Sequence, residues 1–133
     1  MRIMLDTNIL ISMIFFPSDT TRRFRNKICD NYELVLCDYV LEELRLVVDR
    51  KFPSKKEALE RFFMELPFTM VHTPKGIIYS EFPSVRDQKD SPILATAIIE
   101  DINIFITGDK DFLVLEIDNP HIMTMTDFLE RNQ

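Results

Sequence analysis

Two short apolar runs that each stop on an aspartate constrain this chain more than any other feature. Arg2 to Leu5 is followed by Asp6, and Glu33 to Cys37 by Asp38. Runs this short, apolar without polar alternation, suit strands buried on both faces. Phe68 to His72, Ile104 to Thr107 and His121 to Met125 are three further β-type runs, each preceded by a segment with helix signals. Strands alternating with helices predict a central parallel sheet of about five strands covered on both sides, a three-layer α/β/α sandwich.

The helix signals are local and chemical. Asp38 is placed to cap a helix in which Val40, Leu41, Leu44, Val47 and Val48 keep a 3.6-residue period, with Pro53 beyond its end. Ser54-Lys55-Lys56-Glu57 reads as a capping box for a helix reaching about Leu66. Ser91-Pro92 reads as a cap followed by proline at the first helical position. The helix after it, Ile93 to Ile99, is apolar on nearly every side and is expected in the middle of the fold. Thr20 to Asn31 and Thr126 to Glu130 complete the helices, and Thr73 to Lys89 reads as irregular.

Size and composition narrow the classes. At 133 residues the chain is expected to form a single domain, residues 1–133, large enough to bury its own core. With only two glycines it has no glycine-rich phosphate loop. The longest apolar stretch, Ile9 to Phe16, falls well short of the ~20 residues a membrane span needs. An acid at position 6 interrupts what would be the apolar region of a signal peptide, so a cytoplasmic location is expected. Cys29 and Cys37 lack metal spacing and are expected to be reduced and buried.

The acids fall where an open parallel sheet binds its ligands, outside the carboxyl ends of the strands. Asp6 follows the first strand directly. Asp109 and Asp111 follow Ile104 to Thr107 across a turn at Gly108, and Asp90 opens the apolar helix. On a helical wheel Glu43 lies about 40° outside Val47, at the boundary of the apolar arc, whereas Glu42 is on the opposite face. Taken singly, each acid suits a cap or a turn. Jointly, Asp6, Glu43, Asp90, Asp109 and Asp111 are expected to converge on one edge of the sheet, where mutual repulsion calls for a hard divalent cation. Oxygen donors without His or Cys favour Mg²⁺ or Mn²⁺ over zinc. His72 and His121 lie in or beside strands and read as structural.

Four segments resemble the motifs of the PIN-domain ribonucleases: Met4-Leu5-Asp6-Thr7-Asn8-Ile9-Leu10, Val40-Leu41-Glu42-Glu43-Leu44, Asp87-Gln88-Lys89-Asp90-Ser91-Pro92-Ile93-Leu94, and Ile106-Thr107-Gly108-Asp109-Lys110-Asp111-Phe112-Leu113. The order and spacing cover essentially the whole chain, closest to the VapC-like toxin components of toxin–antitoxin systems. The resemblance implies a nuclease that hydrolyses phosphodiester bonds in single-stranded or structured RNA. It also implies one or two Mg²⁺ or Mn²⁺ ions held by Asp6, Glu43, Asp90 and Asp109, with Asp111 in a fifth, more variable position. By the same resemblance, Asn8 braces the loop after the first strand, Thr107 supplies a hydroxyl near the metal, and Asp87 either supports the site or caps a loop. A cognate antitoxin protein and a homodimer are the implied partners, with no membrane.

The formal charge of −6 opposes a nucleic-acid partner at first sight, yet five of the acids belong to the expected site itself and the remaining surface is close to neutral. Arg22, Arg23, Arg25 and Lys27 on one helix, with Lys89 and Lys110 beside motif acids, are candidate phosphate contacts. A haloacid-dehalogenase-type phosphohydrolase would need an Asp where Asn8 stands. A response-regulator receiver would need a Lys where Thr107 and Gly108 stand. A solitary RNA-processing enzyme and a non-catalytic RNA- or protein-binding module remain as alternatives within the resemblance.

Overall fold

The computed structural model describes residues 1–76, 81–83, 85–86 and 90–131. Five strands form one parallel sheet: β1 (Arg2–Leu5), β2 (Glu33–Cys37), β3 (Thr69–Val71), β4 (Ile104–Ile106) and β5 (His121–Met123). Their spatial order is β3-β2-β1-β4-β5. Ile3 pairs with Leu34 on one side and with Ile104 on the other. The chain therefore builds outward from β1 to β3, returns, and builds outward again from β4. Crossovers of the usual right hand then cover both faces of the sheet, giving the three-layer sandwich. The reversal places a topological switch point between β1 and β4, where the loops part and leave a crevice.

Seven helices complete the described residues: α1 (Thr7–Phe15), α2 (Asp19–Asn31), α3 (Asp38–Lys51), α4 (Lys56–Glu65), α5 (Ser91–Ile99), α6 (Lys110–Leu113) and α7 (Met125–Arg131). The three central strands are buried on both faces, from Ile3 to Leu5, Leu34 to Cys37 and Ile104 to Ile106. Helix α5 is buried from Ile93 through Ala97, as its all-round apolar sequence requires. Phe24 of α2 packs edge-on against Phe128 of α7, and Phe105 of β4 against Phe112 of α6.

Several local expectations give way to tertiary contacts. The Ile9–Phe16 stretch belongs to α1, a helix apolar on most faces that shows no sequence period; Leu10 is fully buried while Phe16 beyond its end is exposed. Ser54 makes no capping box. Pro53–Lys55 forms a 3-10 turn instead, because proline leads the segment, and α4 starts at Lys56 without a side-chain cap. Asp38 is the first residue of α3 rather than its cap. Its carboxylate crosses to the end of β3, accepting from the Thr73 N–H at 2.8 Å, the Thr73 hydroxyl and His72 Nδ1 at 3.3 Å. At α5 the cap is Asp90, one residue before the expected Ser91. Cys37 is buried as expected, but Cys29 is exposed on the outer face of α2. Gly108 does not owe its place to backbone freedom, since its φ is negative and a Cβ there would meet open space.

Candidate active site at the carboxyl edge of the sheet

Asp6 directly follows β1 and is 5% exposed. Its own N–H donates to the Ile106 carbonyl at 3.0 Å, so the residue after β1 is laced to the last residue of β4 at the switch point. One carboxylate oxygen, Oδ1, accepts from the Thr7 N–H at 2.8 Å and caps α1. The other, Oδ2, accepts from the hydroxyl of the fully buried Thr107 at 2.8 Å. That hydroxyl has one proton, spent on Asp6, and its lone pair accepts from the Asp109 N–H at 3.0 Å. Asp109 caps α6 by accepting from the Asp111 N–H at 2.9 Å, and Asp111 accepts from Arg86 Nε at 3.0 Å. Five residues from three parts of the chain thus form one continuous hydrogen-bonded line.

Burial pushes the Asp6 carboxyl above the usual carboxylate range. The bonds from Thr107 and Thr7 pull it back, and the negative charge of Asp109 pushes it up again. Beside it opens a cleft of about 500 Å³ lined by Asn8, Ile9, Ser12, Gly108 and Lys110 together with Asp109, Asp111 and Arg86. Glu43 and Asp90 meet in a second cleft of about 390 Å³, with Tyr39, Leu46, Val47 and Arg50, and Glu42 on its wall. The helix phase read from the sequence holds: Glu42 is exposed and Glu43 half-buried. Asp90 occupies the helix-cap position without a side-chain capping bond.

The single five-acid pocket expected from the sequence is not formed as such. Among the described residues no three acidic, His or Cys side chains come close enough to hold one ion. Asp109 and Asp111 line the first cleft beside Asp6, Glu43 and Asp90 line the second, and Asp111 pairs with Arg86. A cation site built from the Asp6–Asp109 pair nevertheless fits a hard divalent ion. The pair offers only carboxylate oxygens, its mutual repulsion is the kind an ion relieves, and the buried Thr7 hydroxyl next to Asp6 has no partner among the described residues.

A PIN domain profile matches residues 3–118, a span that includes Asp6, Glu43, Asp90, Asp109 and Asp111. The chain belongs to the PIN domain family. PIN domains are generally nucleases and generally use divalent metals. The fold of this PIN domain is similar to a chain in the crystal structure of VapBC2 from Rickettsia felis bound to a DNA fragment from their promoter, with a TM-score of 0.74 and 21% identity, covering 93% of this chain and 98% of that one. No curated protein matches the sequence.

Within the PIN domain, the Thr107 hydroxyl, which the resemblance implies near the metal, donates to Asp6. Asn8 is exposed in the first turn of α1 and lines the cleft, and the bond across the β1 end comes from Thr107. Lys110 lines the same cleft. The basic face of α2 does not: Arg22 pairs with Asp19, and the Arg25 guanidinium lies 5.4 Å from the Phe62 ring centre. Arg23 is exposed and Lys27 half-buried on the same helix, outside the cleft lining. Asp87 and Lys89 lie outside the described residues. Neither His72 nor His121 lines either cleft. Arg86, which does, escaped the sequence reading because it sits in an irregular stretch with no period to mark which residues face inward. No helix among the described residues is long and apolar enough to cross a membrane.

Proposed function

We propose that this PIN domain, with residues 1–133 acting as one unit, is an Mg²⁺- or Mn²⁺-dependent endoribonuclease and the toxin half of a toxin–antitoxin pair. The observation that carries the reading is the Asp6–Thr107–Asp109 line at the switch point between β1 and β4. It holds a buried carboxylate in one rotamer, beside a second carboxylate, at the place where parallel α/β sheets bind ligands. Asp6 and Asp109 would hold the ion from the strand ends; Glu43 and Asp90, the other acids of the family pattern, line the neighbouring cleft between α3 and α5. Asp111 stands fifth in the family pattern. When bound, such an ion supplies a nucleophilic water at neutral pH and charge stabilisation on the scissile phosphate.

The protein's own contribution is preorganisation. The Thr107 proton keeps Asp6 Oδ2 oriented, and the Thr7 N–H does the same for Oδ1, so neither oxygen has to be immobilised when substrate arrives. The Thr107 lone pair ties the Asp109 backbone to the same hydroxyl, so both carboxylates move as one unit. Lys110 at the cleft places a cation where the backbone of single-stranded or structured RNA would pass.

The toxin role, a cognate antitoxin, a homodimer and a cytoplasmic location follow from the motif resemblance; the likeness to the Rickettsia felis VapBC2 structure is compatible with an antitoxin partner. Incubation of the purified chain with unstructured RNA tests the enzymatic core. Cleavage that is lost in EDTA, regained with Mn²⁺ and absent from Asp6→Asn supports it, and a chain inert towards RNA in either metal refutes it. A gene for a small DNA-binding protein beside this one supports the toxin assignment, and a solitary gene favours an RNA-processing role.

A further inference from the structure

The cation best placed at the acidic cleft lies outside the basic segments of the sequence. Arg86 follows Val85, whose side chain is 2% exposed and fastens this part of the backbone to the core. Arg86 Nε donates to Asp111 Oδ1 at 3.0 Å, yet the arginine side chain remains 86% exposed against 20% for Asp111. An arginine tethered through Nε and otherwise in solvent presents the outer edge of a rigid, planar fork to whatever approaches. An ion pair this open contributes little to stability, so its consequence is orientation. Asp111 is itself tied through its N–H to Asp109, which is tied to Thr107.

The cleft poses an electrostatic problem for any polyanion. Asp6, Asp109 and Asp111 repel it, so entry depends on cations on the cleft wall, and among the described residues these are Arg86 and Lys110. A guanidinium matches phosphate oxygens in a bidentate fashion that a lysine ammonium cannot. We infer that Arg86 anchors a backbone phosphate of the RNA substrate and that Asp111 is its positioning residue rather than a metal ligand. The inference rests on the nuclease reading above.

The test measures binding of a labelled, unstructured single-stranded RNA to the full chain in chelator-treated buffer, with Asp6→Asn as the non-cleaving parent. Adding Arg86→Gln should weaken binding about tenfold. It should also reduce the slope of log Kd against log salt by about 0.7, the value for one phosphate contact on a single strand. Arg86→Lys should keep the salt slope and recover part of the affinity. Asp111→Ala should weaken binding although it removes a negative charge, opposite to the effect of net charge alone. Arg61→Gln, an equal charge change on the exposed face of α4, should leave affinity unchanged. In the cleaving background Arg86→Gln should raise KM more than it lowers kcat.

Unchanged affinity and slope in Arg86→Gln, or an equal loss in Arg61→Gln, would overturn the anchoring role. Tighter binding by Asp111→Ala would overturn the positioning role. A parent that binds no RNA would overturn this inference, and the nuclease reading falls with it only where the wild type is also inert towards RNA in Mn²⁺; a parent that binds normally while Arg86→Gln has no effect would overturn this inference alone.

Discussion

The hydroxyl of Thr107 donates to Asp6 at 2.8 Å, joining residues 101 apart in sequence at the adjoining ends of β1 and β4. Everything proposed for the site depends on this bond, because it holds the most buried carboxylate of the candidate centre and simultaneously accepts from the backbone of Asp109.

Thr107→Val removes that donor while keeping the shape. The charged Asp6 loses one of its two compensating bonds, so stability at pH 7 should fall by about 1–3 kcal/mol in urea unfolding. The Asp6 carboxyl should rise further, since Thr107 is a cause that lowers it, and the stability deficit should shrink towards acid pH as Asp6 takes up a proton. Stability equal to the wild type at neutral pH would contradict the bond.

Asp6→Asn should abolish RNA cleavage yet hold or raise stability. The sign follows from burial: a folded-state carboxyl raised above 3.8 means that the native state binds the proton more tightly than the unfolded chain. The wild type therefore loses stability as pH rises through this window towards neutrality, and the Asn variant should lack that component. Denaturation curves at pH 5 and pH 7 for both proteins check it.

Asp38 titrates in the opposite sense. Partial burial acts to raise it, but the Thr73 hydroxyl and N–H, His72 and the Tyr39 N–H outweigh burial and hold the carboxyl below 3.8. Its contribution is present above 3.8 and is lost as pH falls through the lower folded-state value. Because Asp38 is about one-third exposed, the effect is screened and modest. The stability gap between wild type and Asp38→Ala should be largest near neutral pH and close below about pH 3.

Glu43→Gln should lose most RNA cleavage while Glu42→Gln keeps it, because only Glu43 turns from α3 towards the core. Equal losses in a cleavage assay would break the assignment of Glu43 to the site.

Mn²⁺ should raise the melting temperature of the wild type, by about 2.7 kcal/mol of added stability at a hundredfold excess over its dissociation constant. Asp6→Asn and Asp109→Asn should blunt the response, and Mg²⁺ should act only at higher concentration. A melting temperature indifferent to millimolar Mn²⁺ would remove the cation from the Asp6–Asp109 pair.

Local sequence determines much of this fold. The bounds of β1 and β2, the all-round burial of α5 and the separation of Glu42 from Glu43 all follow from side-chain period and polarity, properties of a few neighbouring residues. The motif acids were legible because acids at strand ends are unusual in otherwise apolar surroundings. Tertiary structure alone decided that β4 lies beside β1, which brings Thr107 to Asp6. It also decided that Asp38 bonds to Thr73 instead of capping α3, that Cys29 faces solvent, and that Asp111 pairs with Arg86 while Glu43 and Asp90 line a separate cleft. Strand order and long-range ion pairs depend on which distant surfaces pack together, and a carboxylate binds whichever donor that packing brings near. No local pattern in 133 residues encodes that choice by itself.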